Sequence, residues 1–153
     1  MSSITKPIVL LFADDDLDDQ LLVKEAFEEN RLANKIHFVN NGEELLDYLN
    51  QRGKFSDPAL SPRPDLILLD LNMPKVDGRE ALKEIKQDKK LRQIPVVVLT
   101  TSKAEEDIIR TYDLGVNSYI SKPVTFNAMV KIVQTIEAYW FQIVKLPSRS
   151  KGK

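Results

Sequence analysis

Five aspartates, Asp14, Asp15, Asp16, Asp18 and Asp19, crowd six consecutive positions directly after an apolar run at 8–13. A sixth, Asp70, follows the run Leu66-Ile67-Leu68-Leu69, while Thr100-Thr101-Ser102 and Lys122-Pro123 follow two more short runs. Carboxylates gathered at one edge repel each other, and a divalent cation offsets that repulsion. An all-oxygen donor set with few carboxylates suits Mg²⁺, which keeps several waters and takes one or two carboxylates plus a phosphate. Asp15 and Asp70 are the expected direct ligands, with Asp14 acting through water. Asp16 stands one place further on, at the start of a helical pattern, where an aspartate caps rather than ligates.

A carboxylate beside Mg²⁺ and an ammonium is a nucleophile for phosphoryl transfer. The Asp70 anion needs no deprotonation, the metal and Lys122 neutralise charge on the phosphoryl oxygens, and the Thr100 hydroxyl donates to the same oxygens. An acidic turn by itself is a common helix start, and a lysine by itself is usually a surface residue. Asp70 removes the first bland reading, because a carboxylate closing a buried strand costs desolvation free energy unless it is paired, and the place of Lys122 before a proline, at the end of a strand expected to be interior, weighs against the second. Lys122 and a metal are the partners available.

Short apolar runs at 8–13, 35–39, 66–70, 96–100 and 118–121 alternate with amphipathic stretches at 18–30, 43–52, 78–88, 104–114 and 126–145. The runs are largely β-branched or aliphatic without polar alternation, as strands covered on both faces are. Alternating strands and helices predict an α/β fold with a five-stranded parallel sheet, (βα)5, and an extended last helix. In such sheets ligands bind beyond the carboxyl ends of the strands, where the acids, hydroxyls and lysine stand. Asp16 with Asp19, and Thr125, occupy cap positions, Gly115 follows the fourth helix, and Pro123 closes the fifth strand. The stretch 53–65, with Pro58, Pro62 and Pro64, is longer than a usual connection of roughly 2 to 6 residues and reads as a surface elaboration.

Taken together, Leu10-Leu11-Phe12-Ala13-Asp14-Asp15-Asp16, Asp70-Leu71-Asn72-Met73-Pro74 with Asp77-Gly78, Thr100-Thr101-Ser102 and Tyr119-Ile120-Ser121-Lys122-Pro123 resemble the receiver domain of two-component response regulators. The resemblance spans about 7–146 and implies a CheY-like (flavodoxin-like) doubly wound fold. It also implies that Asp70 is the phosphorylation site, that the Asn72 backbone carbonyl completes the metal shell, that Thr100 and Tyr119 form a switch pair, and that Lys122-Pro123 is a cis peptide. Mn²⁺ is expected to substitute for Mg²⁺. The position after the switch threonine is usually small in this family; here it is Thr101, which bears on access to the phosphoryl group. The narrower resemblance is to single-domain regulators of cyanobacterial phytochromes. It rests on the insert ending in Pro64-Asp65, on Glu105-Glu106-Asp107-Ile108 and on the ending Tyr139-Trp140-Phe141-Gln142-Ile143-Val144-Lys145-Leu146-Pro147. It implies a sensor histidine kinase as partner, phytochromes included, and a downstream protein that the sequence does not name.

The 153 residues fit one domain at 7–146, between an N-terminal segment 1–6 and a basic tail 147–153. A net charge of -1 gives no bulk attraction to nucleic acid or an anionic membrane. With no spanning run and no secretory stretch, the expected place is the cytoplasm, and the absence of cysteine agrees. A phosphohydrolase of the haloacid-dehalogenase type would need a second acid two residues after its nucleophile, where Asn72 stands, so a turnover enzyme is not expected. A flavodoxin-like cofactor carrier is disfavoured by the aspartates that would face its phosphate. His37, the single histidine, reads as structural.

The last helix, 126–145, would run about 30 Å against strands of about 17 Å and overhang the sheet. Phe126, Met129, Val133, Ile136 and Trp140 recur at core spacing, while Ile132, Tyr139, Ile143 and Leu146 form a neighbouring stripe. An uncovered stripe of that kind predicts a homodimer interface, or a docking face for a partner.

Overall fold

The computed structural model describes residues 9–29 and 35–138. Strands β1 (Val9–Ala13), β2 (Lys35–Val39), β3 (Leu66–Leu69), β4 (Val96–Thr100) and β5 (Ser118–Ser121) alternate with helices α1 (Leu17–Glu29), α2 (Gly42–Leu49), α3 (Gly78–Gln87), α4 (Glu105–Leu114) and α5 (Phe126–Ile136). Every pairing is parallel, in the order β2-β1-β3-β4-β5. The central strands β1, β3 and β4 are buried throughout, as their unbroken apolar composition requires, while the edge strands β2 and β5 are only half covered.

Alternation along each strand splits the core in two. Leu10, Phe12, Leu66, Leu68, Val97 and Leu99 pack under α1 and α5 against Val23, Phe27, Met129 and Val133. Leu11, Ala13, Ile67, Leu69, Val96 and Val98 face the other way, onto Leu45 of α2 and Leu82 and Ile85 of α3. Chain order reverses between β1 and β3, so the carboxyl ends of these neighbours open onto the topological switch point.

Local signals hold the boundaries. The Asp16 carboxylate accepts from the Asp18 and Asp19 N–H groups at 2.8 and 3.3 Å, Thr125 accepts from Ala128, and Gly115 ends α4 with φ 105. Asp77 caps α3 in a capping box with Glu80. A Cβ at Gly78 would collide with the Asp70 carbonyl oxygen, so glycine is what lets α3 start against the end of β3.

Five expectations are corrected. Strand β5, which Lys122 follows, is an edge strand rather than an interior one, because β4 is its single neighbour in the sheet. The Lys122–Pro123 peptide is trans, since no described peptide bond is cis, in keeping with the usual trans preference of X–Pro bonds. Phe126 is 37% exposed rather than core-facing, because it opens the helix beside the Thr125 cap and burial begins one turn on at Met129. The Asp19 side chain is not a cap; its carboxylate leaves α1 for a lysine. The 53–65 stretch is not simply a surface feature: it holds a 3₁₀ turn at Gly53–Phe55 and buries Ser61 and Asp65. Tyr48 donates to the Pro62 carbonyl, and Asp65 exchanges bonds with the Val9 backbone. Tyr139, Trp140, Ile143 and Leu146, the expected continuation of the last helix to 145, the segment 1–6 and the tail 147–153 lie outside the described residues.

Candidate functional site

Strand register brings the expected residues together. Ala13 and Leu69 are register partners, and the Asp70 N–H donates to the Ala13 carbonyl at 3.0 Å, so Asp14 and Asp70 leave neighbouring strands at one level. On the other side of β3, Thr100 pairs with Ser121, and the Lys122 N–H donates to the Thr100 carbonyl at 2.8 Å. Asp14, Asp70 and Thr100 are buried; Asp15 faces solvent.

Asp70 sits at the centre. Its Oδ1 accepts from the Thr100 hydroxyl at 2.8 Å and from the Asn72 N–H at 3.2 Å, and its Oδ2 lies 3.2 Å from Lys122 Nζ. The same ammonium donates at 2.7 Å to Asp14 and at 2.7 Å to Asp19, and its side chain is only 6% exposed. Asp14 also accepts from the Asp16 N–H at 2.9 Å. Burial pushes the Asp14 carboxyl up to about 6, against the opposing bonds from Lys122 and the Asp16 N–H. For Lys122, burial favours the neutral amine, but the bonds to Asp14 and Asp19 and the charges of Asp14 and Asp70 outweigh it and hold the ammonium above the ordinary lysine range.

One carboxylate oxygen from each of Asp14, Asp15 and Asp70 lies within 4.8 Å of the others. The donors are all oxygen, and three acids, Asp14, Asp19 and Asp70, share one ammonium. Surplus negative charge on hard oxygen donors fits a divalent cation.

A second network stands beside the first. Arg79, in the first turn of α3, holds Asp107 of α4 in a two-pronged pair, Nε and one terminal nitrogen each at 2.6 Å. It also bonds Asp77 and reaches the Leu71 carbonyl at 3.4 Å. The Ser102 hydroxyl donates to Asp107 at 2.7 Å, the Ser102 N–H to the Thr100 hydroxyl oxygen at 3.3 Å, and the Tyr119 hydroxyl to the Ser102 carbonyl at 3.0 Å. The expected switch pair, Thr100 and Tyr119, thus meets through Ser102. Thr101 is exposed. His37 lies with its ring 5.9 Å from that of Tyr48, away from the cluster, and its Nε2 is buried without a hydrogen-bond partner among the described residues.

Residues 10–134 match the response regulator receiver domain family. The chain belongs to it. This receiver domain is 44% identical to response regulator Rcp1 of Synechocystis over 142 residues, 93% of this chain and 95% of that protein. Its fold superposes on the phosphorylated cyanobacterial phytochrome response regulator RcpA with a TM-score of 0.86 at 43% identity, covering 94% of this chain and all of RcpA. On the Mn²⁺-bound form of Rcp1 the TM-score is 0.84 at 44% identity, covering 93% and 100%. The chain is therefore a response regulator of two-component phosphorelay signalling, of the Rcp1 and RcpA kind, and a sensor kinase is its partner upstream. Among the described residues no helix is long and apolar enough to cross a membrane.

Sequence reasoning missed three participants: Asp19 on Lys122, and the Arg79–Asp107 pair. The signal was available in helical spacing. Asp19 precedes the buried Val23 by four positions, and Asp107 precedes the buried Thr111 by four, so each acid stands on a covered stripe of its helix.

Proposed function

We propose that this response regulator accepts a phosphoryl group on Asp70, in a Mg²⁺-dependent transfer from the phosphohistidine of a sensor kinase, phytochromes being the favoured class. The observation that carries the reading is the convergence on one buried carboxylate of the Thr100 hydroxyl, the Lys122 ammonium and the Asp14 and Asp15 acids. A carboxylate oxygen of Asp70 attacks phosphorus in line; the O–P bond forms as the N–P bond breaks, and the imidazole nitrogen leaves with its electron pair. Lys122 and Thr100 then offer donors to the phosphoryl oxygens. Asp15, Asp70 and the Asn72 carbonyl would hold the metal, with Asp14 behind a water; the bound ion supplies charge neutralisation on the phosphoryl oxygens, and Mn²⁺ would serve as well. The resemblance to RcpA and Rcp1, whose solved forms are phosphorylated and Mn²⁺-bound, supports both parts. In this reading the protein is a cytoplasmic phosphoacceptor that switches its surface for a downstream protein, and not a turnover enzyme.

Acetyl phosphate is expected to add one phosphoryl group per chain, on Asp70, only with Mg²⁺ or Mn²⁺ present. Labelling of an Asp70→Asn variant equal to wild type, or labelling indifferent to chelator, would overturn the assignment. Because burial pushes the Asp14 carboxyl up to about 6, metal affinity measured by calorimetry should fall as the pH drops through that value, when Asp14 takes a proton and its charge no longer supports the cation. In phosphotransfer profiling against the sensor kinases of the same cell, a phytochrome kinase should label the protein fastest.

The reading includes a homodimer through the stripe of Ile132, Tyr139, Ile143 and Leu146. Ile132 is half-buried against its own core and shares a small apolar cleft with Ile120, Lys131 and Thr135, which leaves part of it for a partner. Sedimentation should show a dimer at tens of micromolar that an Ile132→Asp, Ile143→Asp variant loses. A wild type that stays monomeric with and without phosphoryl analogue rules it out.

A further inference from the structure

Lys122 carries three protons and has three carboxylates around it, but the contacts are unequal. Asp14 and Asp19 each stand 2.7 Å from Nζ, and Asp70 stands at 3.2 Å. Two acids therefore fix two of the ammonium protons, and tetrahedral geometry aims the third at the proposed phosphoacceptor. Asp14 and Asp70 also belong to the group of acids that converges within 4.8 Å, whereas Asp19 does not. Its carboxylate comes from the first turn of α1, where the Asp18 and Asp19 N–H groups are already satisfied by Asp16. Capping thus makes no demand on the Asp19 side chain, and it is 24% exposed where the lysine is 6% exposed.

The geometry points to Asp19 as a positioning residue that holds the Lys122 ammonium against Asp70. This deepens the phosphoacceptor reading and rests on it. A lysine side chain is a flexible four-carbon stem with many rotamers, so an ammonium needs a fixed counter-charge to point in one direction. Asp14 is a poor sole anchor, since a cation bound among the acids draws on the same carboxylate. Asp19 remains on the ammonium in either circumstance. Without it the lysine samples orientations in which no proton faces the acceptor, and positioning of this kind governs the rate of phosphoryl transfer.

The test is a double-mutant cycle between Asp19 and Lys122, read by acetyl phosphate labelling at saturating Mg²⁺ and by Mn²⁺ affinity. Asp19→Asn and Asp19→Ala should each slow labelling roughly 5- to 10-fold, with Mn²⁺ affinity changed less than about twofold and with Asp19→Glu recovering part of the rate. In a Lys122→Ala background, Asp19→Ala should add less than about a twofold change, because the group it orients is gone. The proposal is overturned if Asp19→Ala slows labelling by the same factor in both backgrounds, if it does not slow it at all, or if metal affinity falls in parallel, which would make Asp19 a ligand. The ¹⁵N–¹H signal of the Lys122 ammonium gives a readout that survives failure of the phosphoacceptor reading. Protected exchange in wild type that is lost in Asp19→Ala supports the anchor, and equal exchange in the two removes it. Failure of the parent reading looks different: wild type itself would not be labelled on Asp70.

Discussion

Lys122→Ala is expected to slow phosphoryl transfer to Asp70 by about 10²- to 10³-fold, the usual effect of removing one preorganised donor from a site where charge moves. Lys122 is the only cation touching Asp70 among the described residues, and its side chain is 6% exposed, so its charge acts with little screening by water. Metal binding should survive, and even tighten, because the acids Asp14, Asp15 and Asp70 stay while the competing positive charge leaves. Truncating one member of a buried ion pair commonly costs about 3–5 kcal/mol, since the partner is left uncompensated. Here a divalent cation offers the missing compensation. The rise in melting temperature on adding Mg²⁺ should therefore be larger in Lys122→Ala than in wild type. Thr100→Ala removes a neutral hydroxyl from the same carboxylate and should also leave metal binding intact, with a smaller loss of rate. Labelling of Lys122→Ala within threefold of wild type, or loss of metal affinity in step with rate, would show that the ammonium holds the acids together rather than serving the transfer.

What the sequence disclosed and what it hid divide along a physical line. Strands buried on both faces have no polar alternation, so Leu66-Ile67-Leu68-Leu69 and Val96-Val97-Val98-Leu99 announced themselves, and the residue types at their ends announced the site. Parallel register then left little freedom: once Ala13 pairs with Leu69, Asp14 and Asp70 must meet. The partners hidden from sequence are contacts between helices. Nothing in the spacing of Arg79 and Asp107, 28 positions apart, says that the starts of α3 and α4 approach each other. An acid on a covered stripe says only that a partner exists. Asp19 was misread for the same reason, because an aspartate in the first turn of a helix satisfies local rules whether or not it does anything else. The proline bond shows a further limit. Family resemblance implied a cis geometry at Lys122–Pro123, and a residue pair that permits two isomers cannot choose between them.

The Arg79–Asp107 pair carries the second large effect, this time on stability and on the resting shape of the loop after β4. Asp107 is mostly buried and accepts two guanidinium bonds at 2.6 Å and the Ser102 hydroxyl at 2.7 Å, so Asp107→Ala removes three charge-assisted contacts at once. Arg79 keeps Asp77 and some solvent, which limits the cost to about 1.5–3 kcal/mol, the range for hydrogen bonds to charged groups. The Arg79 guanidinium beside it, helped by Ser102 and opposed by burial, holds the Asp107 carboxyl down at about 2. An unfolded aspartate titrates near ~3.9. A depressed folded value means that the unfolded chain binds the proton first as the pH falls, so the stabilisation is present above about pH 4 and is lost between about 4 and 2. Asp107→Asn cannot show that slope. Urea melts of wild type and Asp107→Asn should differ by the full amount at pH 7 and converge as the pH is lowered through this window; a gap that does not change with pH would mean the pair is not what stabilises this end of the molecule. The same substitution removes the charge that strengthens the Ser102 bond, and so loosens the tie of Ser102, with its Tyr119 hydroxyl bond, to the start of α4. Hydrogen exchange across Thr101–Asp107 should accelerate in unphosphorylated Asp107→Asn, and unchanged exchange there would show that the loop after β4 is held by something other than this pair.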